Sequence, residues 1–360
     1  MWYSNTGDAP RLQPVLAGSP MKPDPRFDML HDWLTAIFAG RAFTLAPASE
    51  DASFRRYFRV SFVGSQDSLI AMDAPPEKED CRPFLKVARL FEASGAHVPK
   101  VKAEDVAQGF LLLEDLGHTT YLQRLDADGP KSTVADELYL AAIDALIAIQ
   151  RVSASAGLPA YDDALLRREL NLFPEWYVAR HLRAVLEPKD AEILARAFEL
   201  ILANNLAQPR VRVHRDYHSR NLMVSDPLPG VLDFQDAVHG PITYDLASLL
   251  KDAYIRWDEE RVLDWCVRYW EKARKAGLPV GEDFHAFYRD FEWMGVQRHL
   301  KVAGIFARLC HRDGKERYLA DLPLVLDYLD RACGRYRELG PLAALLDRLH
   351  GAGGQTGYTF

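Results

Sequence analysis

The stretch Val211 to Asp236, VRVHRDYHSRNLMVSDPLPGVLDFQD, holds three side chains whose types and spacing suit one piece of chemistry. Asp216 follows the β-branched run VRVH, so it stands at a strand end where a carboxylate can receive the proton of an attacking hydroxyl. Asn221 lies five places on, close enough for the loop to fold back and offer a neutral oxygen ligand to the same metal. After the turn-rich DPLPG comes Gly230-Val231-Leu232-Asp233, and Asp233 adds the hard anionic oxygen that magnesium prefers. Phosphoryl transfer is mostly positioning and charge stabilisation, so a base and two metal ligands in one hairpin-sized segment are its minimum equipment.

Each residue also has a plainer role open to it. An aspartate after a strand is commonly an N-cap or turn residue. His214 taken alone reads as a satisfied core histidine, and Asp245 as the N-cap of the next helix. The combination decides: H-R-D-x-x-x-x-N followed by D-F is the catalytic-loop and metal-loop pattern of the kinase fold.

Two lobes must position these groups. Residues 1–25 carry five prolines and little periodic apolar content, and read as a disordered leader in which Met21 offers an alternative start. A 3.6-residue apolar rhythm predicts a helix over 26–39. Aromatic and β-branched residues at 54–63, a Gly64-Ser65 turn and SLIAM at 68–72 predict a hairpin. A helix over 82–93 and strands at 98–101 and 110–113 complete a β-rich N-lobe over 26–115. Helical patterns follow at 135–153, 164–183, 189–205, 245–257, 260–276, 283–309 and 322–338, interrupted only by the 211–236 block. They form a C-lobe over 116–345, and 346–360 reads as a flexible tail.

Composition narrows the partners. At 360 residues, 48% apolar and 26% charged, the chain is an ordinary globular α+β protein long enough for two cores. Its net charge of −7 argues against nucleic acid, which calls for a basic stripe. Four cysteines, with no C-x-x-C, argue for a reducing compartment rather than a disulfide framework or zinc site. No window approaches the roughly 18 apolar residues of a membrane span. The expectation is a cytoplasmic monomer acting on a small molecule.

HRDYHSRN followed by LDFQDAVHGPITYDLASLL resembles the aminoglycoside phosphotransferase and choline kinase-like family. Within it, SFRRYFRV (53–60), AMDAPPEKEDCRPF (71–84), LLLEDLG (111–117) and QRHLKVAGIFARL (297–309) are similar to the bacterial sugar kinases of cell-wall recycling. Those phosphorylate N-acetylmuramate and N-acetylglucosamine at the anomeric hydroxyl. The resemblance spans about residues 27 to 340. It implies a bilobal protein-kinase-like fold using ATP and Mg2+. Asp216 would be the catalytic base, Asn221 and Asp233 the metal ligands, and Glu114 to Leu116 the hinge that meets the adenine. His214 and Asp245 would be structural, and Asp236 either a second acid near the metal or a surface group.

One departure stands out. The kinase pattern places a phosphate-gripping lysine on the third strand of the small lobe, where this chain has Met72. Arg55, Arg56 and Arg59 are candidate replacements, since guanidinium clamps phosphate bidentately. Strand alternation separates Arg56 and Phe58 from Arg55, Tyr57 and Arg59, and leaves open which set faces the nucleotide. The Ser53-containing loop would cover the phosphates in place of a glycine-rich loop. Glu92 is the one candidate for the partner glutamate on the following helix.

The acceptor calls for aromatic platforms and polar groups. LRRELNLFPEWYVARHL (166–182) supplies Glu169, Asn171, Trp176, Tyr177 and Arg180, with helix packing as the alternative for the two aromatics. Trp293, Gln297, Arg298 and Lys301 form a second cluster at helical spacing. A lactyl-bearing sugar would want a cation, hence Arg180, Arg298 and Lys301, whereas a cationic antibiotic would want an acidic pocket. The alternatives are a kinase of another small alcohol, such as an amino alcohol or aminoglycoside, and a non-catalytic module of the kinase fold.

Overall fold

The computed structural model describes residues 24–50, 54–128, 133–152 and 157–353. Ser53 and its loop, residues 1–23 of the expected leader and 354–360 of the expected tail lie outside them. The first helix, α1 (Pro25–Phe38), starts where its residues dictate: Asp24 accepts the Phe27 N–H at 3.1 Å, and Pro25 takes the first turn, where no N–H is needed.

Five antiparallel strands follow: β1 (Phe43–Glu50), β2 (Arg56–Phe62), β3 (Ser68–Asp73), then helix α2 (Arg82–Glu92), β4 (Val101–Asp105) and β5 (Phe110–Glu114), in spatial order β1-β2-β3-β5-β4. The sequence pattern misses β1 because Pro47 weakens its strand signature. The structure tolerates that proline because β1 is an edge strand that bulges between Pro47 and Ser49. The strand expected at 98–101 begins only at Val101.

Period-2 alternation splits the sheet between two cores. Phe58, Val60, Ala71, Phe110 and Leu112 pack with Leu30 and Leu34 of α1. Met72, Leu111 and Leu113 face the other way, into the large core with Phe84, Val87 and Phe91 of α2.

The larger part is helical. It comprises α3 (Tyr121–Asp128), α4 (Val134–Gln150), α5 (Asp163–Leu170), a π-helix (Phe173–His181) and α6 (Pro188–Ala207). The short strands β6 (Arg210–Val213), β7 (Leu222–Met223), β8 (Gly230–Val231) and β9 (Val238–Pro241) come next. Then follow α7 (Tyr244–Leu250), α8 (Glu259–Lys275), α9 (Phe284–Asp313), α10 (Leu322–Arg335) and α11 (Gly340–Gly353). Strand β6 pairs with β9, and β7 with β8, which folds the segment from 211 to 236 into one compact unit.

Three expectations need correction. The helix over 164–183 breaks after Leu170, because Pro174 has no N–H to continue an α-helix. The resulting π-helix packs on α9 at Gly304, where a Cβ would come within 2.4 Å of the Leu172 backbone. The helix over 245–257 ends at Leu250, since Asp252 draws the Ser219 and Tyr254 amides to itself instead. The tail boundary at 346 falls inside α11, whose Leu346 and Leu349 are buried.

Candidate active site

The chain leaves β6 into His214, and α7 holds it there. Both oxygens of Asp245, itself fully buried, accept backbone amides: Oδ2 from His214 at 2.7 Å and Oδ1 from Arg215 at 3.0 Å. The His214 tautomer follows from its partners. Nε2 donates to the Leu232 carbonyl at 2.9 Å, and Nδ1 accepts the Asp216 N–H at 3.2 Å. Burial pushes the His214 pKa down to about 4, so the ring stays neutral and acts as a pin between the two loops.

The three oxygen-bearing residues converge. Asn221 Nδ2 donates to the Asp216 carbonyl at 3.0 Å and lies 3.4 Å from Asp233 Oδ2. That orientation leaves the Asn221 amide oxygen out of both contacts. Gln235 Nε2 reaches Asp233 Oδ1 at 2.7 Å, and Arg55 Nη2 lies 3.8 Å from the same oxygen. Arg215 and Asp233 both have positive φ, 81° and 60°, a costly conformation that the surrounding bonds impose at these two loop positions. Asp236 is exposed and meets Arg215 only through its backbone carbonyl, at 3.5 Å.

Charge settles the state of Asp216. Burial pushes its carboxyl up, but the field of nearby groups, Lys301 first and Arg215 with it, holds it below the usual aspartate value, so it is ionised and able to accept a proton. Lys301 belongs to a compensated network: it lies 3.2 Å from Glu169 Oε1 and donates to the Tyr244 hydroxyl at 2.9 Å. Glu169 also takes Arg215 and the Tyr161 hydroxyl. Glu169 and Lys301 therefore fix Arg215 and bias Asp216.

A cavity of about 360 Å³ opens between the sheet and these loops. Tyr57, Arg59 and Ile70 roof it, Glu114 to Gly117 form its back, and Asn221 and Asp233 stand at its other end. The face left open by sequence is thus decided: Tyr57 and Arg59 look into the cavity. Arg56 lies on the opposite face, bound to Asp24 and Asp73, and so cannot meet a nucleotide in this cavity. Arg59 is tied to Asp115 at 2.6 and 3.0 Å and to the Gly117 carbonyl at 2.7 Å, so it braces the hinge. Arg55 is the arginine beside Asp233.

Met72 is fully buried among Phe84 and Phe91 of α2, while Glu92 is exposed. The small-lobe ion pair of the kinase pattern is replaced here by apolar packing. Phe234, next to Asp233, stacks on α2 through Phe84 at 4.8 Å and Phe91 at 6.0 Å between ring centroids.

The remaining acceptor candidates scatter. Tyr177 is a core residue against Phe173 and His181, and Trp176 is half-buried against the same core. For Tyr177 the packing alternative holds, since it lies on the core face of the π-helix. Asn171 and Arg180 are exposed. Trp293 is buried, and Gln297 bonds the Leu166 carbonyl at 3.0 Å. Arg298 is buried, with its Nη1 3.4 Å from the Lys251 carbonyl after α7. Sequence reasoning passed over His218, Arg220 and Tyr254, although two of them sit inside H-R-D-x-x-x-x-N itself. Among the described residues no group of three or more His, Cys, Asp or Glu is arranged to hold a metal, and the donor set that fits magnesium is Asn221 with Asp233.

The model of the phosphotransferase enzyme family matches residues 44–279. The chain belongs to that family. This phosphotransferase is 52% identical over 339 residues to an N-acetylmuramate/N-acetylglucosamine kinase of Pseudomonas aeruginosa, covering 91% of the chain and 98% of the relative. A protein of the same name from Neisseria meningitidis is 51% identical over 332 residues, covering 92% and 98%. Among solved structures, an ethanolamine kinase of Plasmodium vivax aligns at TM-score 0.59 and 12% identity over 86% of the phosphotransferase and 88% of its own chain. The ADP-bound aminoglycoside phosphotransferase APH(2'')-Ib aligns at 0.55 and 15%, covering 83% and 97%. The fold is therefore the bilobal α+β fold of these kinases. Among the described residues no helix is long and apolar enough to cross a membrane.

Proposed function

We propose that this phosphotransferase is an ATP- and Mg2+-dependent kinase that phosphorylates the anomeric hydroxyl of N-acetylmuramate or N-acetylglucosamine, as a cytoplasmic monomer. The observation that carries the chemistry is the convergence of Asn221 on both Asp216 and Asp233. The identity of about half its residues with relatives named for these sugars supports the choice of acceptor. We take 26–115 as the nucleotide-covering lobe and 116–345 as the catalytic lobe.

In this reading the adenine lies against the backbone of Glu114 to Leu116, inside the cavity. Arg55, beside Asp233, neutralises the phosphates in place of the small-lobe lysine. Asp216 accepts the proton as the sugar oxygen attacks the γ-phosphorus; the new O–P bond forms and ADP leaves with the electrons of the broken one. Asn221 and Asp233 would hold magnesium, which supplies charge neutralisation on the phosphates. Glu169 and Lys301 act behind Asp216 by keeping Arg215 in place.

The test is an ATP-consumption assay on the purified protein with a panel of hexosamines, amino alcohols and aminoglycosides, followed by phosphorus NMR of the product. The expected result is turnover of the two N-acetyl sugars and a phosphate on the anomeric oxygen. Turnover confined to amino alcohols or antibiotics would replace the acceptor, and no turnover with any of them would leave a binding module.

A further inference from the structure

The three cations that sequence offered to an acidic acceptor are not equivalent. Lys301 already has its anion in Glu169. Arg180 is exposed on the π-helix. Arg298 is only 3% exposed, and among the described residues no carboxylate lies within ion-pair distance of it. Its one hydrogen bond among the described residues runs from Nη1 to the Lys251 carbonyl, and at 3.4 Å it is long. A guanidinium carries five N–H donors, and although the buried Asp245 lies in the field of Arg298, no carboxylate among the described residues makes direct contact with it.

A second under-used group stands nearby. His218, two residues after Asp216, is 9% exposed, and its Nδ1 has no hydrogen-bond partner. Its ring meets Tyr254 edge-on at 5.4 Å, and Arg220 lies flat over the same tyrosine at 3.6 Å. The irregular segment after α7 joins the parts. The Lys251 carbonyl faces Arg298, Tyr254 forms the wall, and Asp252 is engaged with the Ser219 and Tyr254 amides at 2.9 and 3.1 Å. His218 is only two residues from Asp216, and its ring lies in the field of Arg298 as well as of Asp252 and Asp216, so the arginine belongs to the surroundings of the same loop.

We propose that Arg298 and His218, walled by Tyr254 and Arg220, form a carboxylate subsite beside Asp216. The inference rests on the sugar-kinase reading above. The lactyl carboxylate is the charged group that N-acetylmuramate has and N-acetylglucosamine lacks. A guanidinium takes a carboxylate through two parallel N–H bonds, and a neutral imidazole can add a third donor. The subsite therefore sets which of the two sugars is preferred.

The experiment compares N-acetylmuramate with its carboxamide, which removes the negative charge and little else. For the unmutated protein kcat/KM is expected to fall about tenfold or more on going to the amide. In Arg298→Met the two substrates should come within about threefold of each other, because the group that distinguished them is gone. An acid-to-amide ratio near one in the unmutated protein overturns the subsite, and so does a ratio that Arg298→Met leaves intact. If Arg298→Met does not fold, the comparison on the unmutated protein decides alone. N-acetylglucosamine separates the two levels of failure. Turnover of neither sugar overturns the kinase reading and the subsite with it, whereas turnover of both with no acid-to-amide difference overturns the subsite only.

Discussion

Asp245 clamps the backbone of His214: its carboxylate takes the His214 N–H at 2.7 Å with one oxygen and the adjoining Arg215 N–H at 3.0 Å with the other. The loop that carries Asp216 is thereby hung from the first turn of α7, and Arg215 is held at its positive φ. Asp245→Ala should lower stability by about 2–4 kcal/mol, since it strands two buried amides. Asp245→Asn, which keeps one acceptor oxygen, should lie between. Urea midpoints measure both, and a midpoint for Asp245→Ala equal to that of the unmutated protein would show that the clamp is dispensable.

Asp216→Asn should lower kcat by about a thousandfold while nucleotide affinity stays within about threefold, because a proton acceptor is lost and no nucleotide contact is touched. Asp233→Asn should instead weaken binding of the magnesium nucleotide. Titration calorimetry with ATP, run with and without Mg2+, distinguishes the two. Residual turnover above a tenth in Asp216→Asn would remove it as the base.

The arginines near β2 should part company. Arg55→Ala is expected to raise KM for ATP about tenfold or more, through loss of the cation beside Asp233. Arg56→Ala should leave KM for ATP unaltered and reduce thermal stability by about 1–3 kcal/mol, since it leaves buried Asp73 with Arg26 alone. Reversal of these two phenotypes in kinetics and melting curves would refute the face assignment.

Acid should destabilise the fold through its buried histidines. His214 and His299 are buried and neutral, pushed down by burial to about 4 and about 3 from the ordinary 6.5. A histidine depressed in the folded state binds its proton more readily unfolded, so stability falls as pH drops from 6.5 towards 4. Asp245, pushed up by burial to about 7, works the other way over the same range, and the two histidines together exceed it. His299→Gln can still donate to the Lys251 carbonyl that His299 meets at 3.0 Å, and should flatten the loss measured by denaturant titration between pH 6.5 and 4. A slope unchanged in this variant would exclude His299 from the effect.

Much of the site was legible because its parts are near neighbours in the chain. Asp216, Asn221 and Asp233 fall in one segment, and two short strand pairs fold it into a single unit that Asp245 then anchors to α7. The two lobes were legible too, since periods of 2 and 3.6 survive in β2, β3, α1 and most of the long helices. Tyr177 failed as a platform for the opposite reason: an aromatic at helical spacing looks the same whether it faces a cleft or a core.

What the chain determines by itself, then, is the grouping of Asp216, Asn221 and Asp233 and the absence of the small-lobe lysine, because residue type and short spacing are enough to bring them together. What only the tertiary structure decided is how charge is shared among distant residues. Arg56 meets Asp24 and Asp73, Arg59 meets Asp115, Lys301 meets Glu169, and Arg298 meets no carboxylate among the described residues. Sequence counts these cations alike. Burial and the company of an anion, which depend on where α9 and the sheet come to lie, make some of them braces and leave one buried without a carboxylate in direct contact among the described residues.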